Sequence, residues 1–578
     1  MPTPQPSADT TDDIQVNDQT TTDLAVDADL GTDSGNDTEE NDQQVQTDVT
    51  PDTVADLAAD LGADAGEFIP DPVMNPREPA EVVTCEDTIP TVSEGNCDVT
   101  AGSNDLVVLR GAVITPDTVY QNGYVVYDGG TENGLIQCVG CDCSSVSGIG
   151  NATVVACPDA VISPAMLNPH EHITYARTAP ISHGTTRYDH RHEWRADFGT
   201  FDYDDDNDNS PSVDWGEWRH LISGTTSMSG AGYSDGIVRN LDRDQQEGLA
   251  QTRVKNSTFP LGDSSRSTSG IRTGDCNYGN GDSISAATTP DAYVPHVSEG
   301  IGLGAENEFL CLTSTDNGGE DLLNDNTAMI HAIGLNAGDL LEASLDGISI
   351  VWSPRSNIDL YGMTANVVTA DQLGVGISLG TDWLPSGSMN MLRELACADY
   401  LNQNHYNHYF SDEDLIKMAT LWAAQAMAVD DVVGTLAQGY VADIAVYNGD
   451  ASSPFRTILD AGPGDVVLVL RGAIPLFGDA NVMTGLGADE DCDAIDVCTV
   501  SKSICVDLES GVSYSQLRES QPSGRYDLWH CDTPPNEPSC VPARPGEFDG
   551  IATANDNDGD GIPNSEDNCP DVFNPAMP

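Results

Sequence analysis

The stretch that most restricts this chain is Val161-Ile-Ser-Pro-Ala-Met-Leu-Asn-Pro-His-Glu-His172, an apolar run that ends in His170-Glu171-His172. Read as a strand, residues two apart point the same way, so the two imidazoles share a face. Two imidazoles on one face can bind one metal ion. If the strand belongs to a parallel barrel, its C-terminal end lies where that architecture builds its active sites. Taken alone, the pair reads equally well as two polar loop histidines. The rest of the chain decides between the two.

Three later apolar runs end in side chains of the same kind. Ala292-Tyr-Val-Pro-His-Val-Ser-Glu299 sets His296 and Glu299 three residues apart, Ala328-Met-Ile-His331 ends in a histidine, and Val375-Gly-Ile-Ser-Leu-Gly-Thr-Asp382 ends in an aspartate. Each alone reads as a satisfied loop residue. Before them, helix-like and strand-like stretches alternate at 218–223, 224–229, 236–241, 245–251 and 252–255. Alternation of this kind predicts βαβ units and a parallel sheet. A barrel gathers its strand ends into one pocket, so four ends bearing metal-ligand types argue together for a site.

Upstream, residues 106–115, 124–130, 135–140 and 153–157 read as short strands with glycine turns, a small antiparallel unit. Residues 1–80 are rich in Asp, Thr, Gln, Ala and Gly with almost no aromatics, and are expected to be disordered. The acidic insertion at 202–209 lacks the glycine turn and closing acid of a calcium loop and reads as solvated.

Net charge is −72, from 94 acidic and 22 basic residues, with only Lys255, Lys417 and Lys502 as lysines. Such a chain repels nucleic-acid phosphates and anionic lipid, so neither is a partner. No run of about 18 apolar residues exists, so no membrane-spanning segment is expected. Fifteen cysteines, several of them clustered, imply disulfides formed in an oxidising, extracytoplasmic compartment, and the odd count leaves at least one unpaired. Cys276–Cys311 and Cys531–Cys540 are the pairs expected first. Met1-Pro-Thr-Pro-Gln-Pro-Ser7 carries no signal-peptide pattern, so export would need a different start or another route.

At this point the chain resembles the amidohydrolase superfamily of metal-dependent hydrolases, over residues 104–480, in the branch of cytosine and guanine deaminases and triazine chlorohydrolases. His170-x-His172 is similar to the first-strand ligands, His296-x-x-Glu299 to the fifth-strand pair, His331 to the sixth-strand histidine and Asp382 to the eighth-strand aspartate. Ser353-Pro-Arg-Ser-Asn357 resembles the seventh-strand motif, residues 434–443 the exit from the barrel, and Val466-Val-Leu-Val-Leu-Arg-Gly472 the returning strands. Ala165, and Trp422-Ala423 in a helix expected over 411–429, depart from the usual residues, and neither removes a ligand.

The resemblance implies an α/β fold: a (β/α)8 barrel of the TIM type over 161–433, with a small β-sandwich built from 81–160 and 434–480. It implies one Zn2+ or Fe2+ held by His170, His172, His296 and Asp382. Asp382 would be the base, Glu299 the acid and His331 the oxyanion partner. Two-metal relatives use a carbamylated lysine on the fourth strand, near Lys255, whereas His-x-x-Glu belongs to the one-metal branch. The reaction implied is hydrolysis of a non-peptide C–N bond in a small-molecule substrate, an amide, lactam or aminated heterocycle. The alternative is a catalytically retired barrel kept as a calcium-bound surface or matrix module.

Residues 481–550 read as a disulfide-stapled appendix. In 551–578, Asp556, Asp558, Asp560, Asn564 and Asp567 occupy positions 1, 3, 5, 9 and 12 of an EF-type Ca2+ loop, with Gly561 at position 6. With Asn568-Cys-Pro-Asp-Val-Phe-Asn-Pro575, this stretch resembles one thrombospondin type 3 repeat, which implies a secreted or surface protein.

Overall fold

The computed structural model describes residues 78–92, 95–177, 179–197, 206–230, 232–244, 246–488 and 492–575. The expected disordered stretch 1–80 lies outside them apart from its last three residues, as do residues 202–205 of the acidic insertion.

The flanking strands pair into one sheet of eleven strands. Leu106–Ile114 lies between Thr118–Asp128, antiparallel, and Thr153–Pro164, parallel. Thr153–Pro164 then pairs with Ile444–Asn448, so the N- and C-terminal flanks meet at Val161 and Tyr447. The sheet continues through Val466–Arg471 and Ile474–Asp479 into a hairpin, Asp493–Val497 with Val500–Ile504. By pairing, this is one continuous sheet where two packed sheets were expected. Its last hairpin comes from the cysteine-rich appendix.

The run at 161–172 is two strands. Residues up to Pro164 belong to the flanking sheet, and a second strand starts at Met166. The break follows from Pro164, which has no amide to donate, and from Ala165, whose N–H goes to the Asp443 carbonyl at 3.0 Å.

Eight parallel strands follow: β1 (Met166–Glu171), β2 (Thr225–Gly230), β3 (Arg239–Asn240), β4 (Lys255–Ser257), β5 (Tyr293–Val297), β6 (Ala328–His331), β7 (Ser349–Trp352) and β8 (Ile377–Leu379). The first three pair in order, as do the last five. The two groups are joined at both sides. Val254 N–H donates to the Leu241 carbonyl at 2.9 Å between β3 and β4. Beyond β8, Asp382 N–H donates to His170 at 2.9 Å and His172 N–H to Asp382 at 2.7 Å. Almost every residue of these strands is buried, as parallel strands covered on both faces require. Among the helices are α1 (Arg191–Ala196), α2 (Pro211–Leu221), α3 (Pro354–Tyr361) and α4 (Met391–Asn404). The mixed α/β class is as the alternation predicted.

Two expected helices differ. Residues 246–251 form turns and extended chain, because the stretch has no apolar period to bury. Residues 411–429 split into Asp412–Met418 and Leu421–Ala426. The Ala419 carbonyl, which a continuous helix would use, accepts from Leu167 of β1 at 2.9 Å.

Seven disulfides are present. Cys276–Cys311 forms as expected. Cys531–Cys540 does not: Cys531 pairs with Cys498, and Cys540 pairs with Cys397 on α4. The first bridge lies within the appendix, and the second pins it to α4. Cys569 is the one free thiol among the described residues. Arg544 continues the clamp. Its guanidinium donates to the carbonyls of Tyr361 (2.7 Å) and Tyr188 (3.1 Å) and pairs with Asp189 at 2.6 Å. Beyond it, Phe573 packs its ring against His405 and Phe548.

Candidate functional site

The ends of β1, β5, β6 and β8 bring His170, His172, His296, His331 and Asp382 together. The metal-binding atoms of His170, His172 and His296 lie within 4.8 Å of one another, as do those of His170, His331 and Asp382. His172 Nε2 is 3.1 Å from His296 Nε2 and 3.4 Å from His170 Nε2. Asp382 Oδ1 lies 3.2 Å from His170 Nε2 and 3.7 Å from His172 Nε2. All are buried except His172, whose side chain is 12% exposed.

The atoms facing away from this centre are held. His296 Nδ1 lies 3.2 Å from the Ser257 carbonyl, which can only accept, so Nδ1 carries the proton and Nε2 offers its lone pair inward. His170 Nδ1 meets Ser353 Oγ at 2.9 Å. Burial, then neighbouring imidazoles, hold His170 and His296 well below the ordinary histidine range, which keeps both neutral. Asp382 Oδ2 accepts from Ser356 Oγ at 2.5 Å, and Ser356 is 2.8 Å from Ser386 Oγ. Neutral, oriented imidazoles and an aligned carboxylate are the donor set of a divalent metal. The backbone carries strain at the same place: His331 has φ 75° and Asp382 φ 65°.

Glu299 sits on the turn after β5. Its Oε1 accepts from Tyr361 Oη at 2.7 Å, and Tyr361 accepts from Trp194 Nε1 at 2.8 Å. Its Oε2 is 3.6 Å from His331 Nε2. Asn357 Oδ1 meets His331 Nδ1 at 3.0 Å, and because Asn357 Nδ2 donates to Thr364, that oxygen accepts. His331 therefore carries its proton on Nδ1. Trp383 packs against Trp194 (5.2 Å), Tyr175 (5.5 Å) and His172 (6.5 Å) as an aromatic wall.

Sequence reasoning named the converging residues and missed their supports. Ser353, Ser356 and Asn357 lay in a quoted motif without roles, and nothing in the sequence pointed to Tyr361 or Trp194. Lys255 is not at the centre. It lies at the start of β4, two-fifths exposed, 3.6 Å from Asp282. His190 and His192 are buried elsewhere, paired with Glu308 and Asp263 around Arg191.

In the C-terminal loop, Asp556, Asp558 and Asp560 bring carboxylate oxygens within 4.8 Å. Backbone amides orient them: Gly559 and Gly561 donate to Asp556, Asp560 to Asp558, and Ile562 to Asp560. Asp558 is buried, and its Oδ2, like that of Asp567, has no hydrogen-bond partner. Burial, with the charge of Asp560 next, pushes Asp558 up to about 7. Asn564 turns aside, accepting from the Asn557 amide at 2.9 Å.

Residues 289–477 match the profile of the amidohydrolase family. The chain is 31% identical over 173 residues to the 5-methylthioadenosine/S-adenosylhomocysteine deaminase of Pyrococcus abyssi, covering 28% of this chain and 40% of that protein. It is 30% identical over 169 residues to the guanine deaminase of Mus musculus, covering 28% and 37%. The chain thus spans well under half the length of these relatives. Among solved structures, an adenosine deaminase from Xanthomonas campestris with bound zinc aligns over 66% of this chain and 98% of that one, at 15% identity and TM-score 0.43. An atrazine chlorohydrolase from Arthrobacter aurescens complexed with zinc aligns over 64% and 95%, at 17% identity and TM-score 0.45.

Proposed function

We propose that this protein is a metal-dependent hydrolase of non-peptide C–N bonds in a small molecule, with β1–β8 as the strands of a (β/α)8 barrel. The observation that carries the proposal is the convergence of His170, His172, His296 and Asp382, from separate strand ends, with each outward atom of His170, His296 and Asp382 tied to a partner. A divalent metal there, Zn2+ or Fe2+, supplies a Lewis acid and lowers the pKa of water to about 7.

The chain's own residues do the rest. Asp382, steadied by Ser356, takes the proton of the attacking water. Glu299 delivers a proton to the ring or leaving nitrogen from the oxygen facing His331. His331 has its Nδ1 proton committed to Asn357, so it can donate from Nε2 to a developing oxyanion only as imidazolium. Glu299 Oε2 faces that Nε2 at 3.6 Å. Tyr175, Trp194 and Trp383 form a wall suited to a flat ring, and the deaminase relatives favour an aminated heterocycle.

A second part of the proposal is Ca2+ in the C-terminal loop. Asp556, Asp558, Asp560 and Asp567 would hold it, in a repeat like thrombospondin type 3. The unpartnered, buried Asp558 Oδ2 supports this. Seven disulfides support an extracytoplasmic protein. No helix among the described residues is long and apolar enough to cross a membrane. The test is metal analysis of the purified protein, with a screen of 5-methylthioadenosine, S-adenosylhomocysteine, guanine, simple amides and lactams for ammonia release or ring opening. About one transition metal per chain together with turnover of one compound is expected. Full metal content without turnover of any compound would favour the retired surface module.

A further inference from the structure

Glu299 stands on a tight turn, between Ser298 at φ 54° and Gly300 at φ 155°. A glutamate there has three side-chain torsions and two chemically equivalent oxygens. For proton delivery both freedoms are a disadvantage, since only one oxygen faces the reacting centre. Tyr361, the last residue of α3, removes them. It is fully buried and its hydroxyl lies 2.7 Å from Oε1. The direction of that hydrogen bond is fixed from the other side. Trp194 Nε1 lies 2.8 Å from the same hydroxyl, and an indole N–H can only donate. The phenol oxygen therefore accepts from Trp194, and its single proton goes to Glu299. Burial, then the Glu299 charge, pushes the phenol well above the ordinary tyrosine range, so it keeps that proton.

We propose that Tyr361 is a positioning residue that fills Oε1 of Glu299 and thereby places the transferable proton on Oε2, the oxygen that faces His331. Trp194 acts one step further out: by occupying the phenol's acceptor side it fixes the donor direction of Tyr361. Because Trp194 lies on α1, in the connection after β1, the chain Trp194–Tyr361–Glu299 links that connection to the proton donor. The inference rests on the reading of Glu299 as proton donor.

The test is Tyr361→Phe, which removes one oxygen from a buried ring, assayed on whichever of 5-methylthioadenosine, guanine or the amides the wild type turns over. The variant is expected to lose about tenfold in kcat, the scale of one hydrogen bond to a charged group, with KM and metal content within about twofold. In a Glu299→Gln background the same change is expected to add nothing, since Tyr361 acts only through the carboxyl. Equal losses in both backgrounds would reduce Tyr361 to a packing residue and overturn the proposal. An infrared arm needs no substrate. The carboxyl band identified by subtracting the Glu299→Gln spectrum is expected to shift in Tyr361→Phe, and an unmoved band overturns the proposal. If no compound is turned over by the wild type, the hydrolase reading fails, while the infrared arm still decides whether Tyr361 holds Glu299.

Discussion

The molecule gathers metal-binding groups in two places, and they are built in opposite ways. At the ends of β1, β5, β6 and β8, the groups come from positions 170 to 382, and long-range partners hold their far sides: Ser353 for His170, Ser356 for Asp382, the Ser257 carbonyl for His296. In the C-terminal loop, the groups lie within twelve residues, and nearby backbone amides orient them. The first is a nitrogen-rich set in a rigid frame, as a tetrahedral metal requires. The second is an all-oxygen set in a local turn, as calcium tolerates. The difference teaches that the first site takes its ligand groups from the whole fold, whereas the second takes them from one local stretch that the fold holds through His405 Nδ1, 2.9 Å from the Asp558 carbonyl.

The largest effect should come from His170→Ala combined with His172→Ala. Metal content after dialysis should fall from about one per chain to near zero, and full occupancy by elemental analysis would sink the assignment. Next, Glu299→Gln should cost about 10²–10⁴-fold in turnover with metal retained. Asp382→Asn should lower both quantities, and metal loss from Glu299→Gln would show that its role is misplaced. A smaller effect tests the frame. Ser353→Ala should weaken metal affinity by about 10- to 100-fold, read by competition with a chelator; unchanged affinity would mean His170 does not need its buttress. The smallest concerns the tail. Calcium at about 100 times its Kd should stabilise the wild type by about 2.7 kcal/mol. Asp558→Asn should abolish that response in thermal melts while leaving transition-metal content alone. A calcium response that survives the substitution would remove the loop from the comparison.

What was readable in the sequence follows the same division. The loop at 556–567 has a local pattern, so its acids could be named in order, although Asn564 spends its side chain on Asn557. The histidines and Asp382 were readable because each ends an apolar strand. Their supports were not. Whether Tyr361 reaches Glu299, 62 residues away, depends on packing that no spacing encodes. The expected Cys531–Cys540 pair failed for the same reason, while Cys276–Cys311 formed. Cys531 and Cys540 are neighbours in sequence, but Cys540 finds its partner 143 residues back, on α4. The helix expected at 411–429 broke because a distant strand claimed one of its carbonyls, a competition that helix propensity does not contain.

The clamp made by Arg544 gives the wall of the proposed pocket a timetable. Tyr188 and Arg544 stand 356 positions apart. A ribosome adding 5–20 residues per second needs roughly 20 to 70 seconds to cover that distance. Through that interval the connection carrying Trp194, joined part-way by the end of α3 carrying Tyr361, lacks the guanidinium that later ties them. Cys540, the partner of Cys397, precedes Arg544 in the chain, so both ties to the appendix come at the end of that interval.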